Sequence, residues 1–320
     1  MQLNRRSFLA LLMASGLARA ETFPSQPIRL VIPYAPGGGT DLLGRLIAKS
    51  LSERLKQNVV VENRPGGSGS IAVNLVANSA PNGYTLLLGA NPVVLNHVLA
   101  QSASVINPLT ALAPITLYAT APLLVLVSPS VPANSLQELI ALAKASPGKY
   151  NYASSGNGSS NHLAGALLAS AAKVDITHVP YKGVGPAMND VMAGRVQIFI
   201  SSAFSSISQV RAKQVKALAV ASSSRLPLLP DIPTTDEAGL PELKVDAWWG
   251  AFAHKDTPEP IVRALRDAIV ADISQPEIKG TLETQNAIAV GSTPRAFAEF
   301  LEAETQKWTK VAKFAGMTTG

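Results

Sequence analysis

The chain has 320 residues, of which 47% are hydrophobic and 15% charged, with no cysteine and a formal charge of +6. These values exclude a disordered chain, a disulfide framework, a thiolate metal site and a thiol nucleophile. The length exceeds one ordinary core and suits two lobes.

The first predicted element is an export signal. Arg5 and Arg6 precede an apolar run from Phe8 to Leu17, and Ala18-Arg19-Ala20 forms a small-x-small cleavage site. Cleavage is expected after Ala20, delivering the protein to the periplasm. Asn4-Arg5-Arg6-Ser7-Phe8-Leu9 also fits a twin-arginine signal, so the general secretory and twin-arginine routes both stay open. The apolar run is too short to span a bilayer. Removing Arg5, Arg6 and Arg19 takes the formal charge from +6 to +3, and the remaining charges are scattered. Nothing supports a nucleic-acid partner.

A strand is predicted at Ile28 to Ile32, followed by Pro36-Gly37-Gly38-Gly39-Thr40-Asp41 and a helix from Asp41 to Leu55. In that helix Leu43, Ile47, Leu51 and Leu55 recur every four residues, and Thr40 or Asp41 suits its N-cap. Val59 to Glu62 reads as a strand, Ser70 to Asn78 as a helix and Tyr84 to Gly89 as a strand. Further on, strand Leu123 to Ser128 and helix Ser135 to Ala145 lead to a second strand–Gly loop–helix unit. It runs from Tyr150-Asn151-Tyr152-Ala153 through Ser154 to Asn161 and into a helix beginning near Leu163. Strands follow at Ile176 to Pro180, Val196 to Ile200 and Lys216 to Ala221, with a short helix at Ala187 to Ala193. Leu226 to Glu237, with three prolines, reads as an ordered loop. Val245 to Ala253 reads as a strand able to cross back to the first lobe, and helices at Pro258 to Ile273 and Pro294 to Phe314 close the chain. Such alternation implies a parallel α/β sheet, whose ligands bind beyond the carboxyl ends of the strands.

Catalytic and metal constellations are missing from the sequence. His97, His162, His178 and His254 form neither H-x-H nor H-E-x-x-H, and there is no G-x-S-x-G elbow. The two Gly loops point instead to anion binding. A helix N-terminus leaves backbone N–H groups unpaired and carries partial positive charge, and glycine lets an anion approach the backbone closely. A carboxylate needs no lysine or arginine in such a site. Asp41 reads most simply as stabilising its helix terminus. His162 reads as a structural hydrogen-bonder or a ligand contact, and Tyr181-Lys182-Gly183 as a hydroxyl or cation donor or a solvated loop. Of Trp248 and Trp249, one is free to wall a cleft while the other packs in a core; both being structural is the alternative.

The stretches PIRLVIPYAPGGGTDLLGRLIA, VVVENRPGGSGSIA, APNGYTLLLG, NYASSGNGSSNHLAG, HVPYKGVGPAMNDVMAGRVQ, LPDIPTTDEAGLP and AETQKW, in that order, resemble the Bug receptors, the extracytoplasmic solute-binding proteins of tripartite tricarboxylate transporters. The resemblance implies an α/β type II periplasmic binding protein with two lobes joined by two crossing strands, roughly 22–122 plus 247–320 and 123–246. It implies a small organic carboxylate as ligand, no cofactor and no metal. By the same resemblance, Ala35, Pro36, Gly38, Gly39, Thr40 and Asp41 of the first lobe face Ser154, Gly156, Gly158, Ser159 and His162 of the second across the ligand, with Ala90 and Asn91 at its far side. Tyr181 and Trp248 complete the nominated set. Many members carry an aspartate where this chain has Ser201, so an amino acid is the less expected ligand. The expectation is a monomeric, non-catalytic receptor that hands its ligand to transporter membrane subunits. A receptor feeding a signalling system and an exported hydrolase are the alternatives.

Overall fold

The computed structural model describes residues 23–99 and 106–314. The expected export signal and the expected cleavage site after Ala20 lie outside the described residues. Strand β1 (Ile28–Ile32) is buried at four of its five positions, as a parallel strand covered on both faces should be. It lies between β2 (Val59–Asn63) and β3 (Thr85–Ala90), parallel to both. Helix α1 (Gly39–Leu55) follows β1 and buries Leu43, Ile47 and Leu51 on one face. It begins two residues before the predicted start, because Gly38 rather than Thr40 is its N-cap. Helices α2 (Ser70–Ala77), α3 (Pro92–Leu99) and α4 (Pro108–Ala111) complete this part of the chain.

Strand β4 (Leu112–Val127) is far longer than the predicted Leu123 to Ser128. Pro114 and Pro122 hide its first half in the sequence, since proline removes a ladder donor. The strand tolerates Pro114 by shifting register between Pro114 and Thr116. Pro122 is the last residue of β4 paired in the first sheet, and Leu123 the first paired in the second.

The second sheet repeats the plan. Helix α5 (Leu136–Ala145), capped by the Ser135 side chain, leads into β5 (Tyr150–Ser154), α6 (Ser160–Ala172) and β6 (Ile176–Pro180). Helix α7 (Val184–Met192), β7 (Ile198–Ser202), α8 (Ala203–Arg211) and β8 (Lys216–Val220) follow. The chain returns through β9 (Asp246–His254), which sits between β3 and β4 in the first sheet. Val245, just before it, still accepts a backbone hydrogen bond from Leu123 N–H and donates one to Ala221 O. The polypeptide therefore passes between the sheets twice, at neighbouring points, Pro122/Leu123 and Val245/Asp246. Helices α9 (Glu259–Ile273), α10 (Pro276–Thr284) and α11 (Pro294–Phe314), with the short β10 (Ile288–Ala289) on β4, pack on the first sheet side. This is a two-lobed α/β architecture. Among the described residues no helix is long and apolar enough to cross a membrane.

Candidate functional site

The carboxyl end of β1 runs into a tight loop before α1. Gly37 adopts φ +93° there, a conformation that favours glycine. Its N–H donates to Asp41 Oδ2 at 3.1 Å, and the same carboxylate accepts from Arg45 and from Asn63 Nδ2. Burial pushes the Asp41 carboxyl up, but the hydrogen bonds from Arg45, Asn63 and Gly37, together with the Arg45 charge, hold it below the ordinary aspartate range. Asp41 is thus the brace of the loop. No side chain caps α1, so the N–H groups of its first turn stay free of side-chain partners. Leu42 N–H is the first to donate within the helix, to Gly38 O.

The loop after β5 is braced differently. Ser159 Oγ accepts from His162 N–H and donates to Gly156 O at 2.7 Å. His162 Nδ1 accepts from Gly158 N–H, and its ring stacks on His178 with centroids 3.9 Å apart. His178 Nε2 lies 2.6 Å from Ser154 Oγ. Burial pushes both imidazoles down to about 4, and for His162 the neighbouring His178 adds to it. The pair is therefore neutral near neutral pH. Ser155 Oγ donates to Asn161 Oδ1 at 2.7 Å, and Asn161 Nδ2 donates to Ile200 O at 2.7 Å. These bonds fix the first turn of α6 while its Ser160 and Asn161 N–H groups precede the first intrahelical donor, Leu163.

The two loops face each other across a cleft with an empty volume of about 470 Å³, part of it open to solvent. Its walls include Tyr34, Gly38, Gly39, Thr40, Ser155, Ser159, Ser160 and Asn161. Ala90 comes from the end of β3, Asn91 follows it, Pro92 begins α3, Val184 begins α7, Ser202 ends β7 and Ser205 lies on α8. Ala247 and Trp249 of β9 complete it, and no charged side chain lines it. Five helices (α1, α3, α6, α7 and α8) thus begin at this one cleft. Trp249 Nε1 donates to Thr40 Oγ1 at 2.9 Å, which leaves the Thr40 hydroxyl proton for another acceptor. The two sides touch: Ala35 N–H donates to Lys182 O at 3.2 Å, and the buried Trp249 packs on Phe204 with centroids 5.4 Å apart.

Of the residues nominated from sequence, Gly38, Gly39, Thr40, Ala90, Asn91 and Ser159 line this cleft. The Asn91 side chain is occupied in clamping β9, donating to Asp246 O and accepting from Trp248 N–H. Ala35 lies at the contact between the two sides, and Pro36 lines a neighbouring cavity. Asp41, Ser154, Gly156, Gly158 and His162 stand behind the walls as braces, as the bonds above show. Tyr181 turns its hydroxyl to Asp190 at 2.8 Å. Ser201 is fully buried. Trp248 packs among Phe252, Phe297 and Phe300, so the tryptophan on the cleft is Trp249. Adjacent residues of a strand face opposite ways, and sequence alone does not say which way β9 is turned. Tyr34, Pro92, Ser155, Ser160, Asn161, Val184, Ser202, Ser205, Ala247 and Trp249 were not nominated. Ser155, Ser160 and Asn161 had a signal, being in the second Gly loop itself.

The model for the "Tripartite tricarboxylate transporter family receptor" matches residues 43–317. Protein BugT of Bordetella pertussis is 33% identical over 310 residues, 97% of this chain and 95% of BugT. A solved structure of R. palustris Rpa4515 with adipate superposes with TM-score 0.89 at 35% identity, covering 92% of this chain and 99% of that one. MatC from Rhodopseudomonas palustris with bound malate gives TM-score 0.87 at 32% identity, covering 90% and 99%. Fold, cleft and sequence agree: the chain belongs to the tripartite tricarboxylate transporter receptor family, and its architecture is that of a two-lobed periplasmic solute-binding protein.

Proposed function

We propose that this protein captures a small organic carboxylate in the periplasm, between lobes 22–122 plus 247–320 and 123–246, and delivers it to a membrane transporter without chemical change. The observation that carries the reading is the uncharged cleft onto which the first turns of α1 and α6 open with backbone N–H groups to spare. A carboxylate accepting several such bonds gains roughly 1.5–3 kcal/mol from each. Micromolar affinity requires about 8 kcal/mol net, so a few donors on each side suffice after ordering costs. The Thr40 hydroxyl adds a side-chain donor. The related structures with adipate and malate support a dicarboxylate. No acidic side chain lines the cleft, so an α-ammonium group would enter without a counter-charge. That disfavours amino acids.

The test is a thermal-shift and calorimetric screen of the mature protein with adipate, malate, succinate, citrate, benzoate, aspartate and glutamate. A non-amino carboxylate is expected to bind in the micromolar range or tighter, with aspartate and glutamate at least about tenfold weaker. Absence of binding by every acid, or a preference for the amino acids, overturns the reading. Uptake of the labelled ligand by cells with and without the gene separates delivery to a transporter from reporting to a sensor.

A further inference from the structure

A second cavity adjoins the cleft along helices α7 and α8. Val184, Met188 and Met192 recur at every fourth position of α7, and Ser205 and Gln209 have the same spacing on α8, so each set shares one helix face. Both faces line a crevice with an empty volume of about 700 Å³, part of it open to solvent. Val184 and Ser205, in the first turns of their helices, line the cleft as well. Pro36 and Gly37 of the first glycine loop form the opposite wall. The walls meet where a methyl group on Gly185 would stand 3.3 Å from Pro36 O. At Gly37 the space is open, since a methyl group there would meet nothing within 4 Å. The approach of Gly38 to Val184 and of Gly39 to Ser205 stands between crevice and cleft.

No charged side chain lines the crevice. Pro36, Pro186, Met188 and Met192 give it apolar walls, and thioether sulfur makes favourable contacts with aromatic rings. One polar group is left over: Gln209 Oε1 is buried and has no hydrogen-bond partner among the described residues. A buried polar atom without a partner is costly, and a ligand that pairs it recovers that cost. An anion would meet neither a cation nor a spare donor at this oxygen. A phenol answers each feature. Its ring suits the methionines and prolines, it carries no charge at neutral pH, and its hydroxyl both donates and accepts, so it pairs with either end of a glutamine amide. We propose that this crevice is a second ligand site, which takes an uncharged phenol separately from the cleft. The proposal goes beyond the acid site and does not depend on which acid the cleft takes.

The probes are 4-methylphenol and 4-methylanisole, which differ only in the hydroxyl proton replaced by a methyl group. Each is titrated into the isotope-labelled protein, with and without an excess of adipate, malate and citrate, and backbone amide signals are followed by NMR. Saturable shifts are expected from 4-methylphenol at Gly37, Met188, Met192 and Gln209, with Ser159 and Ser160 of the cleft unmoved. The dissociation constant should be about millimolar or tighter, as suits so small a ligand. The methyl ether should bind at least about threefold more weakly, having no proton for Gln209. Gln209→Leu should weaken 4-methylphenol at least about threefold and leave the ether unchanged or tighter. Met192→Lys should weaken both probes. Circular dichroism reports that the variants are folded, and the comparison of the two probes on wild type holds without them. Absence of saturable shifts at the crevice in both arms overturns the proposal, as do shifts centred on Ser159 and Ser160, which would place the phenol in the cleft. Equal affinity for the two probes on wild type, or folded variants that bind as wild type does, overturns it equally. Failure of every acid to bind leaves the phenol result to stand by itself and falls on the cleft alone.

Discussion

At the scale of single residues, the site depends on what is small or already hydrogen-bonded. Gly38 and Gly39 both lie close to the opposite side of the cleft, and Gly39 is the tighter position. A methyl group there would stand 2.4 Å from Ser205 Oγ and 3.1 Å from Phe204 Cδ1, both on α8 across the cleft. Gly39 sits in the first turn of a helix, where alanine is intrinsically favoured. Gly39→Ala should therefore leave the melting temperature of the ligand-free protein unchanged or slightly raised, while weakening ligand binding at least about tenfold by preventing closure. Calorimetry beside a thermal melt checks both halves. Thr40→Ala acts differently: it strips the partner from the buried Trp249 indole N–H, an unsatisfied donor costing about 1–3 kcal/mol. Stability and affinity should both fall, and Thr40→Ser should restore both. The glycines, Thr40 and the second serine-rich loop were legible because residue type alone carries their chemistry. The choice of Trp249 over Trp248 was not, because it depends on which face of β9 meets the first lobe's helices.

At the scale of elements, legibility followed periodicity. Strands β1, β6 and β8 and helices α1, α6 and α11 combine long apolar patterns with clear punctuation and lie where expected to within a few residues. Helix α8, AFSSISQVR, was missed because its serines mask the pattern, and with it Ser202 and Ser205. The first half of β4 was lost to its prolines. The neutral imidazole pair behind the loop between β5 and α6, His162 on α6 and His178 on β6, makes an element-scale prediction. Both histidines have folded-state pKa values pushed down to about 4 by burial. In the unfolded chain they take up protons near pH 6.5. Between these values acid protonates the unfolded chain first, so their contribution is fully present above pH 6.5 and is lost as pH falls toward 4. Protonation at His162 Nδ1 also removes the acceptor for Gly158 N–H. Asp272, raised to about 6 chiefly by burial, works in the opposite sense over part of this window, so a comparison with a variant is needed. His178→Phe keeps a ring on the stack without a titrating group. Its melting temperature should decline less steeply from pH 6.5 to 4.5 than that of wild type. An equal slope in both proteins would remove the pair as the cause.

At the scale of the whole molecule, the fold separates holding from moving. The interior of each sheet is closed and apolar, with Phe199 and Phe204 buried on one side and Trp248, Phe252 and Phe297 on the other. The sides meet at the front through the backbone hydrogen bond from Ala35 to Lys182, the packing of Trp249 on Phe204, the approach of Gly38 and Gly39 to Val184, Ser205 and Phe204, and that of Asn96 to Gly158. A ligand bridging both loops would add to these contacts only when the front is shut, so ligand binding is expected to shift the front from open to shut. The chain has no cysteine, which makes this motion open to a covalent test. A Cβ on Gly38 would lie 3.4 Å from Val184 Cβ, at the short edge of the separation of roughly 3.5–4.5 Å that a disulfide spans. In the double variant Gly38→Cys, Val184→Cys the new thiols are the only ones present. With a mild oxidant, saturating ligand should raise the rate of cross-linking, because the bound form spends more time with the sulfurs in reach. Oxidation with ligand present should trap it through gel filtration, and reduction should release it. Oxidation without ligand should give a protein that no longer binds until reduced. Cross-linking at one rate regardless of ligand would mean that the lobes do not close upon it, and closure would be lost as the way the cleft holds its ligand.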